Sequence, residues 1–154
     1  MKLKFLLSLL TFYVFLFAAC KKEKYTTEPQ IKFKSISPSQ VVKTNIISFI
    51  CSFTDQEGDI QDSVLYVFKR YNGAVALLPI DTVRLKLNPD AIPIGRLGEI
   101  ELRFSYGELL SDNSAAFLSL ESVDREVSFG LIIRDKAAHR SNYVESGRIT
   151  LKKL

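Results

Sequence analysis

The feature of this sequence that most constrains its fold is a repeated alternation of apolar and polar residues with a period of two. The clearest example covers residues 45–54, where every second side chain is apolar. The apolar positions there are Ile47, Phe49, Cys51 and Phe53. Because successive side chains of a β-strand point to opposite faces, this pattern predicts a strand with one face in a hydrophobic core.

Runs of the same kind recur along the chain and are separated by turn residues. The predicted strands cover residues 31–36, 45–54, 63–71, 74–87, 99–106, 127–133 and 143–151. Pro79 interrupts the fourth of these strands, and Asn72 with Gly73 predicts a hairpin turn before it. Residues 88–98 predict a loop, whereas residues 107–122 fit either a helical turn or an irregular strand. About seven short strands at this spacing predict an all-β sandwich.

The N-terminus has the outline of a signal peptide. Lys2 and Lys4 precede an uncharged run over residues 5–19. As a helix that run would reach about 22 Å, which is short of the roughly 30 Å hydrocarbon core of a bilayer. The run ends in Phe17, Ala18, Ala19 and Cys20, which resemble the lipobox of bacterial lipoproteins. The resemblance implies that Cys20 is lipidated and becomes the mature N-terminus; an ordinary secretory leader that happens to contain a cysteine is the alternative.

The chain is therefore divided into a lipoprotein signal peptide (1–19), a lipidated cysteine with a tether (20–30) and one sandwich domain (31–154). The expected location is the cell envelope, as an outer membrane lipoprotein with the membrane as a partner through its N-terminal lipid. Both the periplasmic and the surface-facing orientation stay open. With Cys20 lipidated, Cys51 has no disulfide partner and is predicted to be a buried apolar residue.

Two segments resemble the immunoglobulin-like and cadherin-like domains of Gram-negative lipoproteins. Residues 53–60 are similar to the acidic, glycine-containing turn after the second strand of such domains. Residues 133–142 are similar to their late hairpin, with Ala138 and His139 where the family often has Gly and Asn. The resemblance implies an immunoglobulin-like antiparallel sandwich, and family membership implies a fold rather than a reaction.

The first of these segments carries acidic residues around a glycine turn, and Asp62 follows them closely. In an immunoglobulin-like fold the loop before the last strand can lie at the same end, which would bring Asp135 and Asn142 near this turn. Ca²⁺ takes six to eight oxygen ligands, so a calcium site is one hypothesis, and turn capping on a soluble surface is the other. The candidate calcium ligands are Asp55, Glu57, Asp59 and Asp135. No other cofactor is predicted.

No catalytic residue is predicted, and we interpret the chain as not being an enzyme. Asp59 and Asp62 lie in one loop, whereas the two carboxylates of a glycosidase flank a cleft. His139 is the single histidine and lies near Asp135 and Ser141 in the sequence. No nucleophile elbow accompanies these three residues, so an exposed turn histidine is the better interpretation.

Charge and aromatic residues narrow the class of partner. The formal charge of +4 moves closer to neutral when Lys2 and Lys4 leave with the leader, so no nucleic-acid partner is predicted. Tyr71, Tyr106 and Tyr143 lie near strand ends and are the candidates for an exposed aromatic platform. The predicted function is a non-enzymatic structural or binding module that contacts an envelope protein or glycan. The alternative is a calcium-dependent adhesion or glycan-binding domain, accessory to polysaccharide use.

Overall fold

The computed structural model describes residues 25–61, 63–86, 95–111 and 114–153. The predicted signal peptide, Cys20, Asp62 and most of the predicted loop 88–98 lie outside these ranges. The described strands are β1 (Gln30–Ser37), β2 (Gln40–Val41), β3 (Ile46–Thr54), β4 (Ser63–Asn72), β5 (Val75–Lys86), β6 (Leu97–Tyr106), β7 (Ala116–Leu118), β8 (Arg125–Ile132), β9 (Val144–Glu145) and β10 (Ile149–Leu151). Among the described residues, no helix has the length and hydropathy of a membrane span.

The strands form two sheets. The first has the order β1-β3-β6-β7, and the second has the order β2-β10-β8-β4-β5, with β9 also paired to β8. The pairs are antiparallel except for two short ones, β2 with β10 and β6 with β7. Immunoglobulin-like sandwiches place strands A, B and E in one sheet and C, F and G in the other. Here β1, β3 and β6 occupy the first set and β4, β8 and β10 the second, which confirms the predicted all-β, immunoglobulin-like sandwich.

The core lies between the inner faces of the two sheets and follows the alternation in the sequence. In β3 every second residue is buried, and the buried residues are the apolar ones that the sequence predicts to face the core. Cys51 is among the buried residues, and burial raises the pKa of its thiol to about 12, as expected for an inert core residue. The ring centroids of Phe104 and Phe129 lie 4.6 Å apart across the sandwich. Burying a side chain of this size contributes about 1.5–3 kcal/mol to folding.

The structure adds two short strands to the predicted set, β2 and β7, of which β7 lies in the segment 107–122 that was predicted as a helical turn or an irregular strand. It differs from the predicted strands in three further details. The hairpin between β4 and β5 turns at Gly73 and Ala74, because Gly73 has the positive φ of 58° that the turn needs. Strand β5 runs through Pro79, but its register with β4 shifts there, so the proline lies in a bulge. The predicted last strand is divided into β9 and β10, since the side chain of Ser146 accepts a hydrogen bond from Phe129 N between them.

Candidate functional site

Three of the four candidate calcium ligands come together at one end of the sandwich. One carboxylate oxygen from each of Asp55, Asp59 and Asp135 lies within 4.8 Å of the other two. We call these three residues the aspartate cluster. Asp55 follows β3 directly and Asp135 follows β8, and an isolated bridge between Ile60 and Asp135 joins the two loops. Glu57 is exposed on the same turn and does not belong to the cluster.

The turn after β3 is organised by the side chain of Asp55. Its Oδ2 accepts hydrogen bonds from Gly58 N at 2.6 Å and from Asp59 N at 3.1 Å. Asp residues favour such turns because a short carboxylate can satisfy nearby backbone N–H groups. Gly58 has a φ of 70°, and a Cβ at this position would lie 2.9 Å from the carbonyl carbon of Gly95. A glycine is therefore required both by the backbone conformation and by the neighbouring loop.

The carboxylate of Asp135 is fixed by His139. Asp135 Oδ1 accepts the backbone N–H of His139 at 2.8 Å, and Oδ2 lies 2.6 Å from His139 Nδ1. The hydrogen bond and charge of Asp135 raise the pKa of the His139 imidazole above its ordinary value. Ser141 Oγ bonds instead to backbone groups, Ile133 N and Asn142 O. Asp135, His139 and Ser141 are thus arranged as a turn and not as a relay leading to a nucleophile.

Asn142, which was expected near the cluster, has a different role. Its side chain accepts a hydrogen bond from Ile31 N at 2.8 Å and donates one to Ile31 O at 2.9 Å. This two-bond contact attaches the loop before β9 to strand β1 of the first sheet. The residue therefore supports the end of the sandwich on which the aspartate cluster lies.

The carboxylates of the aspartate cluster are largely removed from water. Asp55 and Asp135 are both fully buried, and Asp59 is half-buried. Oδ1 of Asp55 and Oδ1 of Asp59 are buried atoms that have no hydrogen-bond partner among the described residues. Removing a carboxylate from water is costly unless it is paired, so such an oxygen is expected to meet a positive charge. Clustered carboxylate oxygens are the ligand type that hard cations such as Ca²⁺ prefer.

A second polar region lies on the outer face of the second sheet. We call it the tyrosine patch, and its members are Lys69, Tyr71, Ser128, Tyr143 and Glu145. All of them meet at the carboxylate of Glu145, which accepts hydrogen bonds from Ser128 Oγ at 2.5 Å, Lys69 Nζ at 2.6 Å, Tyr143 Oη at 2.9 Å and Tyr71 Oη at 3.1 Å. Burial opposes ionisation, but these four bonds outweigh it and hold the pKa of Glu145 at about 2.

The aromatic rings of the patch are held by their neighbours. The hydroxyl end of Tyr143 lies over the backbone of Gly130 in β8, and Tyr143 is still 42% exposed. Lys69 Nζ lies 5.4 Å from the centroid of the Tyr143 ring, and the guanidinium of Arg148 lies 3.8 Å from that of Tyr71. These cation–π contacts restrict the rings without covering them all. The patch is therefore a preorganised surface.

Of the three tyrosines predicted to form an exposed platform, Tyr143 is exposed and Tyr71 is partly exposed. Tyr71 and Tyr143 both donate hydrogen bonds to Glu145, with Tyr143 exposed and Tyr71 half-buried under Arg148, but the proposed role of Tyr106 is wrong because this residue is fully buried. Its hydroxyl donates to Lys152 O and accepts from Glu121 N, both at 2.9 Å. A tyrosine at a strand end can satisfy its hydroxyl on backbone groups and join the core.

Strand β5 forms the edge of the second sheet and carries an exposed apolar strip. Among the described strands it is paired to β4 alone. The exposed apolar side chains on it are Val75 at 67%, Leu78 at 83%, Ile80 at 40% and Val83 at 40%. Large apolar residues grouped on one exposed strand are typical of an interaction surface.

The sequence does not predict the roles of Lys69, Ser128 and Glu145, because these residues come from three separate strands and no spacing rule connects them. One signal was present in the chain: Gly130 lies in the middle of an apolar strand. An isolated glycine in a strand often marks a place where another group approaches the backbone closely. Here that group is the ring of Tyr143.

The fold and these surface regions define an immunoglobulin-like β-sandwich domain. No protein-family model and no curated protein matches the chain. Among solved structures it is similar to the sporulation control protein Spo0M of Bacillus subtilis, with a TM-score of 0.46 and 11% identity, over 84% of this chain and 51% of that one. The chain thus spans about half the length of Spo0M.

Two further solved structures are similar over most of the chain. A Niemann-Pick type C2 protein from the Japanese carpenter ant has a TM-score of 0.39 and 13% identity, over 85% of this chain and 98% of that one. Murine CRIg has a TM-score of 0.33 and 12% identity, over 82% of this chain and 98% of that one. Since all three scores are below 0.5, the fold assignment rests on the strand order described above.

Proposed function

We propose that this protein is a non-enzymatic binding module, held at the outer membrane of a bacterium by a lipid on Cys20, that contacts another envelope protein through its second sheet. The observation that carries the proposal is the exposed apolar strip on β5, at the edge of the sheet whose outer face carries the tyrosine patch. Apolar anchors beside tyrosine and arginine side chains are characteristic of the centres of protein interfaces.

The edge position of β5 supports a protein as the partner. An edge strand presents unpaired backbone N–H and C=O groups, and an extended segment of a partner can add to it as a further strand. Pro79 interrupts the strip, and Arg84 and Lys86 follow it on the same strand. Residues of these types on an edge discourage indiscriminate pairing. The strand is thus suited to a specific partner and is protected from aggregation.

The tyrosine patch supports the same assignment. Its polar groups are already fixed around Glu145, so binding would not have to order them. Tyr143 and Arg148 keep exposed surface, and these two residue types contribute most often to binding hot spots. The patch lies on the outer face of the second sheet and the β5 strip lies along its edge, so a partner that contacts both would bind around that edge.

The anchor is supported by the sequence around Cys20 and by the position at which the domain begins. Strand β1 starts at Gln30, so about ten residues separate it from Cys20, and an extended tether of that length spans at most roughly 35 Å. A diacylated or triacylated cysteine gives stable membrane attachment. The domain would therefore act close to the membrane surface.

The anchor is tested by replacing Cys20. In a bacterial host the unchanged protein is expected in the membrane fraction, with an intact mass that shows fatty acyl groups and no leader. The intact mass of Cys20→Ser is expected to show no acyl groups. A leader still attached to the unchanged protein, or a processed protein without lipid, would refute the anchor.

The binding surface is tested by photo-crosslinking in intact bacteria. A photoreactive amino acid at position 78 in the β5 strip is expected to give a crosslink to one envelope protein. The matched control is position 109, a leucine 73% exposed after β6 of the first sheet. Adding Val83→Asp should abolish the crosslink from position 78 without lowering the melting temperature. Equal crosslinking from both positions, or binding to purified glycans in place of a protein, would contradict the proposal.

A further inference from the structure

We infer that the aspartate cluster is a calcium site that joins the loop after β3 to the loop after β8. This site is separate from the surface proposed to bind a partner, so either proposal can fail without the other. The inference rests on the three side chains Asp55, Asp59 and Asp135, whose oxygens lie within 4.8 Å of one another.

The first reason is an orphaned buried oxygen. Asp55 has no exposed surface, and its Oδ2 accepts hydrogen bonds from the backbone N–H groups of Gly58 and Asp59. Its Oδ1 is buried and has no hydrogen-bond partner among the described residues. A buried carboxylate oxygen without a donor is rare in folded proteins, and an ion is one of its standard explanations.

The second reason is the charge balance of the cluster. Three carboxylates lie close together at the end of the sandwich, and two of the residues are fully buried. Among the ion pairs of the described residues, the one that involves this cluster joins Asp135 to His139, and the His139 side chain is 47% exposed. Like charges at this separation repel strongly where water is excluded. A divalent cation between the carboxylates converts that repulsion into attraction.

The identity of the ion follows from the ligand type. All three groups offer hard oxygen atoms, which suit Ca²⁺ and Mg²⁺, whereas Zn²⁺ favours nitrogen and sulfur ligands. Mg²⁺ demands an ideal octahedron and keeps several waters, but Ca²⁺ tolerates irregular coordination and dehydrates more readily. Two buried aspartates from separate loops fit the less demanding ion. Backbone carbonyls and water would complete a coordination number of six to eight.

The expected consequence is that calcium stabilises the end of the sandwich. The two loops already touch through the hydrogen bond from Lys136 N to Asp59 O and through the bridge of Ile60 with Asp135. An ion held by carboxylates of both loops would add a connection that the unfolded chain lacks. A ligand that binds only the folded state raises the melting temperature, and the rise grows with the logarithm of the free ligand concentration above its dissociation constant.

The experiment compares melting curves of the full chain in detergent micelles after removal of metal with EDTA. CaCl2, MgCl2 and ZnCl2 are then added separately at millimolar concentration. We expect CaCl2 to raise the melting temperature by about 5 to 10 °C. Calorimetric titration with CaCl2 should show one site. Three variants are compared with the unchanged protein: Asp55→Asn, Asp59→Asn and the matched control Glu57→Gln.

Asp59→Asn is the decisive variant, because the Asp59 side chain makes no hydrogen bond among the described residues and its loss does not disturb the turn. It should fold without metal at least as well as the unchanged protein and should lose the calcium shift. Glu57→Gln removes the same charge from the same turn but outside the cluster, and it should keep the full shift. The inference is overturned if CaCl2 gives no shift, if MgCl2 or ZnCl2 alone gives it, or if Asp59→Asn keeps it.

Discussion

The hydroxyl of Tyr143 lies directly above Gly130, so close that a Cβ added at position 130 would be 2.2 Å from it. We predict that Gly130→Ala pushes the ring aside and breaks the 2.9 Å hydrogen bond from Tyr143 Oη to Glu145. The expected loss is about 1 kcal/mol of unfolding free energy, because the displaced group is the far end of a mobile side chain. Urea unfolding measures it. Gly147→Ala is the control, since its Cβ would meet nothing within 4 Å.

Glu145 gives a prediction about pH. The pKa of Glu145 in the folded protein is about 2, below its ordinary value of 4.5. A lowered carboxyl pKa stabilises the fold above the unfolded pKa, and this contribution is lost as the pH falls from about 4.5 towards 2. Glu145→Gln should therefore cost roughly 2–3 kcal/mol at neutral pH. The difference from the unchanged protein should shrink steadily on acidification.

Urea unfolding at neutral pH and near pH 3 tests this prediction, as roughly half of the pKa interval is crossed between them. Glu99→Gln serves as the control, because Glu99 pairs with Lys34 on the exposed side of the first sheet and both side chains are about half exposed. Exposed pairs of this kind contribute little, typically below 1 kcal/mol. A Glu145→Gln penalty that is independent of pH would show that the ionised carboxylate is not the stabilising species.

Phe129 lies at the centre of the core, where its ring is 4.6 Å from that of Phe104 and 5.0 Å from that of Phe68. We predict that Phe129→Ala lowers the unfolding free energy by about 3–5 kcal/mol, through lost burial and the cavity that remains. Phe117→Ala should cost less than 1 kcal/mol, because Phe117 is 48% exposed on β7. Equal midpoints in urea for the two variants would contradict the placement of the core.

Gly58 and Gly73, two of the glycines with a positive φ, form a matched pair for testing the turn beside the aspartate cluster. Both have a φ near 60–70°, but only at Gly58 would a Cβ strike backbone, 2.9 Å from Gly95 C. Gly73→Ala should cost about 1 kcal/mol from backbone conformation alone. Gly58→Ala should cost about 2–3 kcal/mol, because the contact with residue 95 cannot be relieved by a side-chain movement. Thermal melting of the two variants should separate them clearly.

The strands were predicted well wherever one face of the strand is buried. In β3, β6 and β8 the apolar phase found in the sequence is the buried phase of the structure. The prediction was weaker in the segment 143–151, where two short strands replace one. There the break depends on the Ser146 hydroxyl and on Phe129 N, a partner that is distant in the sequence. Local periodicity carries no information about such a contact.

The two candidate sites also differ in whether a local sequence pattern predicts them. The acidic turn around Gly58 could be found in the sequence, because carboxylates alternating around a glycine are a local pattern. The tyrosine patch could not, since its hydrogen bonds to Glu145 come from β4, β8 and the segment just before β9. Tyr106 was misplaced for a related reason: its burial depends on Lys152 O and Glu121 N, which only the folded chain brings to its hydroxyl.

The sequence by itself determined the all-β class, most strand positions, the buried state of Cys51 and the acidic turn, because hydrophobic periodicity and turn chemistry act over a few neighbouring residues. The tertiary structure decided which acidic residues meet. It placed Asp135 beside Asp55 and Asp59, left Glu57 in solvent and gathered four donors around Glu145. Those distances depend on how β3, β4 and β8 are positioned across two sheets, and that arrangement is fixed by packing of the whole core.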